Sequence, residues 1–138
     1  MTLDQLRDVI QLQALKALYC EAVDGCVTDA LGSASRLREV FTEDATADYG
    51  AEILEGRHAI IDFLIVTLST TSDAAWHAIH SPRIDVEGDA AIGRWTVMAR
   101  RRAKGSTHVD TIVGRYVDDF RRTPQGWRIR HVCFRRES

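Results

Sequence analysis

What most constrains this chain is a change of repeat near Trp76: before it apolar residues recur at three- and four-residue steps, and after it they alternate. These are the periods of helix and strand, and exchanging them would turn apolar side chains toward water. From Leu3 to about Val27, the positions Leu3, Leu6, Ile10, Ala14, Ala17 and Cys20 or Glu21 predict one long helix with that stripe inward. Ser33 or Ser35 can cap a second, short helix through Arg36, Leu37, Val40 and Phe41, followed by an extended piece from Thr46 to Tyr49. After Gly56, the residues Ile60, Ile61, Phe63, Leu64 and Leu68 predict a third helix that ends in the polar segment 69–73.

Beyond that point Trp76 to Val86, Ala90 to Arg102, Thr107 to Arg122 and Gly126 to Arg136 read as four strands, separated by Glu-Gly-Asp, Lys-Gly-Ser and Thr-Pro-Gln-Gly turn signals. Helices first and an antiparallel meander second define an α+β class, with the three helices packed on one face of a strongly curved sheet. At 138 residues the whole span, 1–138, is expected to be one domain with one core.

A formal net charge of −2 leaves no general attraction for phosphate backbones or anionic lipid, so neither nucleic acid nor membrane is an expected partner. The longest apolar stretch, Ile60 to Leu68, is broken by Asp62 and is far shorter than the roughly 20 residues of a spanning helix. The start MTLDQLRDV lacks the basic and apolar regions of a secretory signal, which gives a cytoplasmic expectation. Cys20, Cys26 and Cys133 are odd in number and without CxxC spacing, so they read as reduced thiols rather than a disulfide framework or zinc site. Dinucleotide, P-loop, zincin and hydrolase-elbow motifs are absent.

Two residues stand out against this background. Asp24 follows Leu6 by 18 residues, about five whole turns, so its carboxylate shares the predicted apolar face near a helix C-terminus, where the helix dipole opposes it. It either frays into solvent or requires a donor. His77 opens the first strand on the same parity as Ile79 and is the candidate donor; the alternative is a core histidine satisfied by a carbonyl. His80 falls on the opposite face and His108 near a turn, so both read as structural or exposed, and His58 and His131 carry no assignment. Arg115 shares parity with Val109, Thr111, Val113 and Val117, which predicts an inward guanidinium bound either to a substrate oxygen or in an ion pair with Asp24 or Asp48. Tyr19 and Tyr49 can offer phenol donors, and Trp95 reads as cavity wall. Ile112, Tyr116 and Phe120, on the parity opposite Arg115, would then form an outer apolar patch suited to a homodimer or homotrimer.

Several segments in order, Leu18–Gly25, Leu37–Ala45, Asp48–Gly50, Trp76–Ile84, Glu87–Ala91 and Gly114–Thr123 followed by Gly126–Ile129, resemble the SnoaL-like branch of the nuclear transport factor 2-like superfamily. The pattern is most similar to the scytalone dehydratase and hexachlorocyclohexane dehydrochlorinase group and spans nearly the whole chain. The resemblance implies a cone-shaped α+β barrel with an interior cavity in which catalytic Asp24 and His77 face each other, with Tyr49 and Arg115 at positions used for polar contacts. It further implies a lyase of the dehydratase type, or an isomerase or polyketide cyclase, acting on a small hydrophobic molecule without metal or organic cofactor. The superfamily also contains pure binding modules. Arg101 stands roughly where scytalone dehydratases carry a second histidine.

Overall fold

Helix α1 (Leu3–Gly25) starts where it does because Thr2 and Gln5 cap each other. The Thr2 hydroxyl accepts from the Gln5 amide at 3.1 Å while the Gln5 side chain accepts from the Thr2 amide at 2.8 Å, which satisfies two donors that a helix end leaves orphaned. Asp29, rather than either serine of the sequence reading, caps α2 (Ala30–Val40) by accepting from the Gly32 amide. Strand β1 (Phe41–Asp48) and the two-residue β2 (Leu54–Glu55) lead to α3 (Arg57–Thr71), which begins at Gly56, a residue at φ 92° that only glycine adopts cheaply. The expected polar loop at 69–73 does not form: α3 runs to Thr71, and β3 (Ser72–Glu87) begins at the next residue. The meander continues through β4 (Ala90–Ala103), β5 (Val109–Thr123) and β6 (Gly126–Arg136). The structure is a computed structural model and describes residues 1–138.

The sheet has six strands in the order β2-β1-β6-β5-β4-β3. All neighbours run antiparallel except β1 and β6, whose parallel pairing returns the helical half of the chain to the far edge of the meander. The three helices lie on the concave side, giving the expected α+β architecture. No helix is long and apolar enough to cross a membrane.

Which face of each element is buried differs from the sequence expectation in two places. In α1, Leu3 and Ile10 are 67% and 60% exposed, and the buried face is Leu12, Leu15, Tyr19 and Val23, together with Asp8 and Lys16. Both faces repeat at helical steps, but beyond Ile10 the expected one offers only Ala14, Ala17 and Cys20, whereas this one carries Leu12, Leu15, Tyr19 and Val23 and removes more apolar area from water over that stretch. Its two charged members are admitted because each is paired. The Asp8 carboxylate accepts both Arg122 terminal nitrogens at 2.9 Å and the Trp127 indole N–H at 3.1 Å. Lys16 Nζ lies 2.6 Å from Asp118 Oδ2, with both side chains fully buried.

In β5 the inward parity is Ile112, Gly114, Tyr116, Asp118 and Phe120; Tyr116 and Phe120 are core residues. Arg115 therefore points outward, 61% exposed, and pairs with Glu137 at 2.6 Å instead of with a substrate, Asp24 or Asp48. The patch formed from Ile112, Tyr116 and Phe120 consequently is not on the outside, and the dimer or trimer argued from those residues loses its basis; the convex face exposes Trp76, Met98 and Val117 instead. In β5 the aromatic rings take the concave side because α1 covers it, whereas valines and the long arginine stem tolerate the convex one.

Candidate active site

Asp24 lies in the last turn of α1, where the dipole disfavours a carboxylate, and β3 supplies the compensation. Asp24 Oδ1 is 2.6 Å from His77 Nδ1, and Oδ2 accepts from the His77 backbone N–H at 3.1 Å. Because a carboxylate only accepts, a neutral ring carries its hydrogen on Nδ1 and its lone pair on Nε2. The side chains are 27% and 16% exposed, reachable but largely shielded. The sequence thus named two residues 53 apart that the fold brings into contact.

The imidazole forms part of the wall of a cavity of about 250 Å³ bounded by α1, α3 and the inner sheet face. Ala99 lies directly across from His77 in the β3–β4 register, and its single methyl leaves room for the ring. The rest of the wall is apolar except for the Thr67 hydroxyl and three phenols, Tyr19, Tyr49 and Tyr116. Tyr19 and Tyr49 share a hydrogen bond at 2.8 Å, and the Tyr49 ring stacks on Phe63 at 5.7 Å between centroids. Burial holds all three phenols well above the ordinary tyrosine range, so they are neutral donors at physiological pH.

Of the residues predicted for the site, the cavity gathers His77, Tyr19 and Tyr49, with Asp24 directly behind the imidazole. Trp95 is buried but away from the cavity, packed edge-on against Phe120 with Lys16 5.7 Å from its ring. Arg115 is on the opposite face of the sheet. Phe63, Leu68, Ala99 and Phe134 were not among the expected site residues; Ala99 could have been, as the one small residue in the inward series Trp95, Val97, Ala99. A wider groove of about 450 Å³ lies at the other end of the sheet among Asp85, Glu87, Arg121 and Arg130. It holds no histidine–carboxylate pair like that of the smaller cavity.

A cupped sheet with α1 and α3 over an apolar pocket, and a carboxylate-held imidazole in the pocket wall, defines an α+β pocket protein. The chain belongs to the SnoaL-like domain family, within the nuclear transport factor 2-like superfamily: the family model matches residues 4–132. Among curated proteins it is similar to the uncharacterised protein Rv2910c of Mycobacterium tuberculosis, 30% identical over 131 residues, covering 94% of this chain and 85% of that one. Among solved structures it is similar to a Novosphingobium aromaticivorans protein assigned as a scytalone dehydratase, with TM-score 0.87, 21% identity and coverage of 100% and 89%. It is likewise similar to a hexachlorocyclohexane dehydrochlorinase, LinA type 2, with TM-score 0.86, 18% identity and coverage of 99% and 89%. At these identities the structural likenesses show the shared fold.

Proposed function

We propose that this protein is a cofactor-independent lyase that removes water or a comparable group from a small, largely apolar ring compound. The observation that carries this reading is the Asp24–His77 pair at 2.6 Å with the imidazole in the wall of an apolar cavity. His77 Nε2 takes a proton from carbon next to the departing group, Asp24 stabilises the imidazolium formed, and the same proton is then available to the leaving oxygen. The Tyr19–Tyr49 pair donates to a substrate oxygen on which negative charge develops. The two structural relatives named above carry elimination chemistry in their names, which agrees with this direction of reaction.

Cavity size narrows the guest. About 250 Å³ is just under the roughly 300 Å³ at which pockets for drug-sized ligands begin, so one ring or two fused rings fit better than a four-ring steroid. The decisive experiment is turnover of hydroxylated aromatic and reduced-aromatic ketones followed by mass spectrometry. Loss of one water from the substrate, abolished in His77→Ala, supports the lyase. Conservation of mass with the same His77 dependence would assign an isomerase or cyclase using the same pair, and turnover at the parent rate in His77→Ala would sink the mechanism.

A further inference from the structure

The largest anomaly in the core is a lysine that no catalytic step above uses. Lys16 is fully buried, and its Nζ sits 3.5 Å from the ring centroid of Tyr116 and 4.0 Å from that of Tyr19. Its partner, Asp118 Oδ2, lies at 2.6 Å, a short contact. Both Asp118 oxygens and the ammonium lack any further hydrogen-bond partner. Taking two such charges out of water costs several kcal/mol each, and an apolar pair of the same volume would serve packing as well or better. The placement is specific: the two rings touched by the ammonium line the cavity, whereas Lys16 and Asp118 do not.

We propose that Lys16 is a positioning residue of the cavity: its ammonium, seated on the Tyr19 and Tyr116 rings, polarises the Tyr19–Tyr49 phenol pair into a single strengthened donor for a ligand oxygen. This inference rests on the reading of the cavity as a ligand site. A cation on the face of a phenol ring draws electron density from it and makes its O–H the better donor. Tyr19 carries the cation on its face, so Tyr19 donates to the Tyr49 oxygen across their 2.8 Å contact. The Tyr49 oxygen, now accepting, gives up its own hydrogen more readily to a third group, because hydrogen bonds in series reinforce one another in a low-dielectric site. The stacked Tyr49 and Phe63 rings fix the direction of that last donor. The orientation of the Lys16–Asp118 pair puts its nitrogen end against the rings.

The probe is 4-nitrophenol, whose ionisation inside the cavity is read by absorbance without any turnover. All measurements use the full chain carrying His77→Ala, so that the imidazole does not compete as a partner for the phenol oxygen. In that background the bound probe is expected to ionise at lower pH than in Lys16→Met/Asp118→Leu, by about one unit, equivalent to about tenfold in the phenolate-to-phenol affinity ratio. Tyr19→Phe, which keeps the ion pair and the core but cuts the relay, is expected to shift the midpoint in the same direction; it decides the matter alone if the double variant does not fold. Bound probe with the same midpoint in the background and in these variants overturns the proposal while leaving the elimination reading intact. Failure of the probe to bind the His77→Ala cavity also overturns it. Loss of the His77 dependence of turnover, with the midpoint shift present, would instead remove the elimination reading and leave Lys16 its role.

Discussion

One carboxylate grips His77 twice: Asp24 Oδ1 holds the ring at Nδ1, 2.6 Å away, and Oδ2 holds the peptide N–H of the same residue at 3.1 Å. The ring hold fixes the tautomer and the backbone hold fixes where β3 passes the end of α1. Asp24 is therefore a structural pin between helix and sheet as well as half of the proposed acid–base pair.

Replacing Asp24 by Asn separates those roles. The amide oxygen can still accept from the His77 peptide, but its NH2 is then turned toward Nδ1, which moves the ring hydrogen to Nε2 and leaves no base facing the cavity. Turnover is expected to fall by about 10²- to 10⁴-fold, with the melting temperature changing little. Steady-state kinetics beside a thermal melt check this, and a parent-like rate in a folded Asp24→Asn protein would contradict the assigned tautomer.

Ala99 sets the room available beside His77, opposite which it lies in the sheet. Ala99→Leu fills part of the roughly 250 Å³ cavity with side chain. Affinity for a small aromatic guest should drop at least tenfold, about 1.4 kcal/mol, while stability holds or rises as empty volume is replaced by packing. Calorimetric titration of parent and variant with the same guest measures it; equal affinities would place the guest elsewhere.

The Asp8 clamp makes a pH prediction. Hydrogen bonds from Arg122 and from the Trp127 indole hold the Asp8 carboxyl below its usual range near 4. A group depressed in the folded state contributes stability above its unfolded value, and that contribution disappears as pH falls through the folded value. Asp8→Asn is expected to cost about 1–2 kcal/mol at pH 7, with the gap to the parent closing progressively below about pH 4. Melts from pH 7 to pH 2 test the sign: a gap that widened toward acid would refute the clamp.

Gly114 leaves no room for a side chain beside β6. A methyl there would stand 2.5 Å from the Arg135 carbonyl oxygen and 2.7 Å from the Phe134 ring, and the carbonyl is backbone and cannot swing away. Gly114→Ala should therefore destabilise by about 1–3 kcal/mol, and because Phe134 lines the cavity it should also weaken guest binding. Denaturant melts at neutral pH give the first quantity, and an unchanged midpoint would mean that the two strands are further apart than described.

The order of helices and strands was legible in the amino-acid sequence because period is a local property: the three-and-four steps before Trp76 and the alternation after it permit few other architectures. Asp24 and His77 were named together through the SnoaL-like resemblance; the Leu6 stripe on which Asp24 was placed is itself largely exposed. What periodicity could not decide was which of two competing faces is buried. α1 carries two stripes at helical spacing, and β5 carries apolar side chains on both parities, so Arg115 and Tyr116 could each be drawn inward from sequence alone. Only the packed structure resolves this, because a face is inner when another element covers it: α1 over the concave sheet selects Tyr116 and Phe120 and sends Arg115 to Glu137. The same long-range packing creates the Lys16–Asp118 contact between residues 102 positions apart, which no local pattern announces.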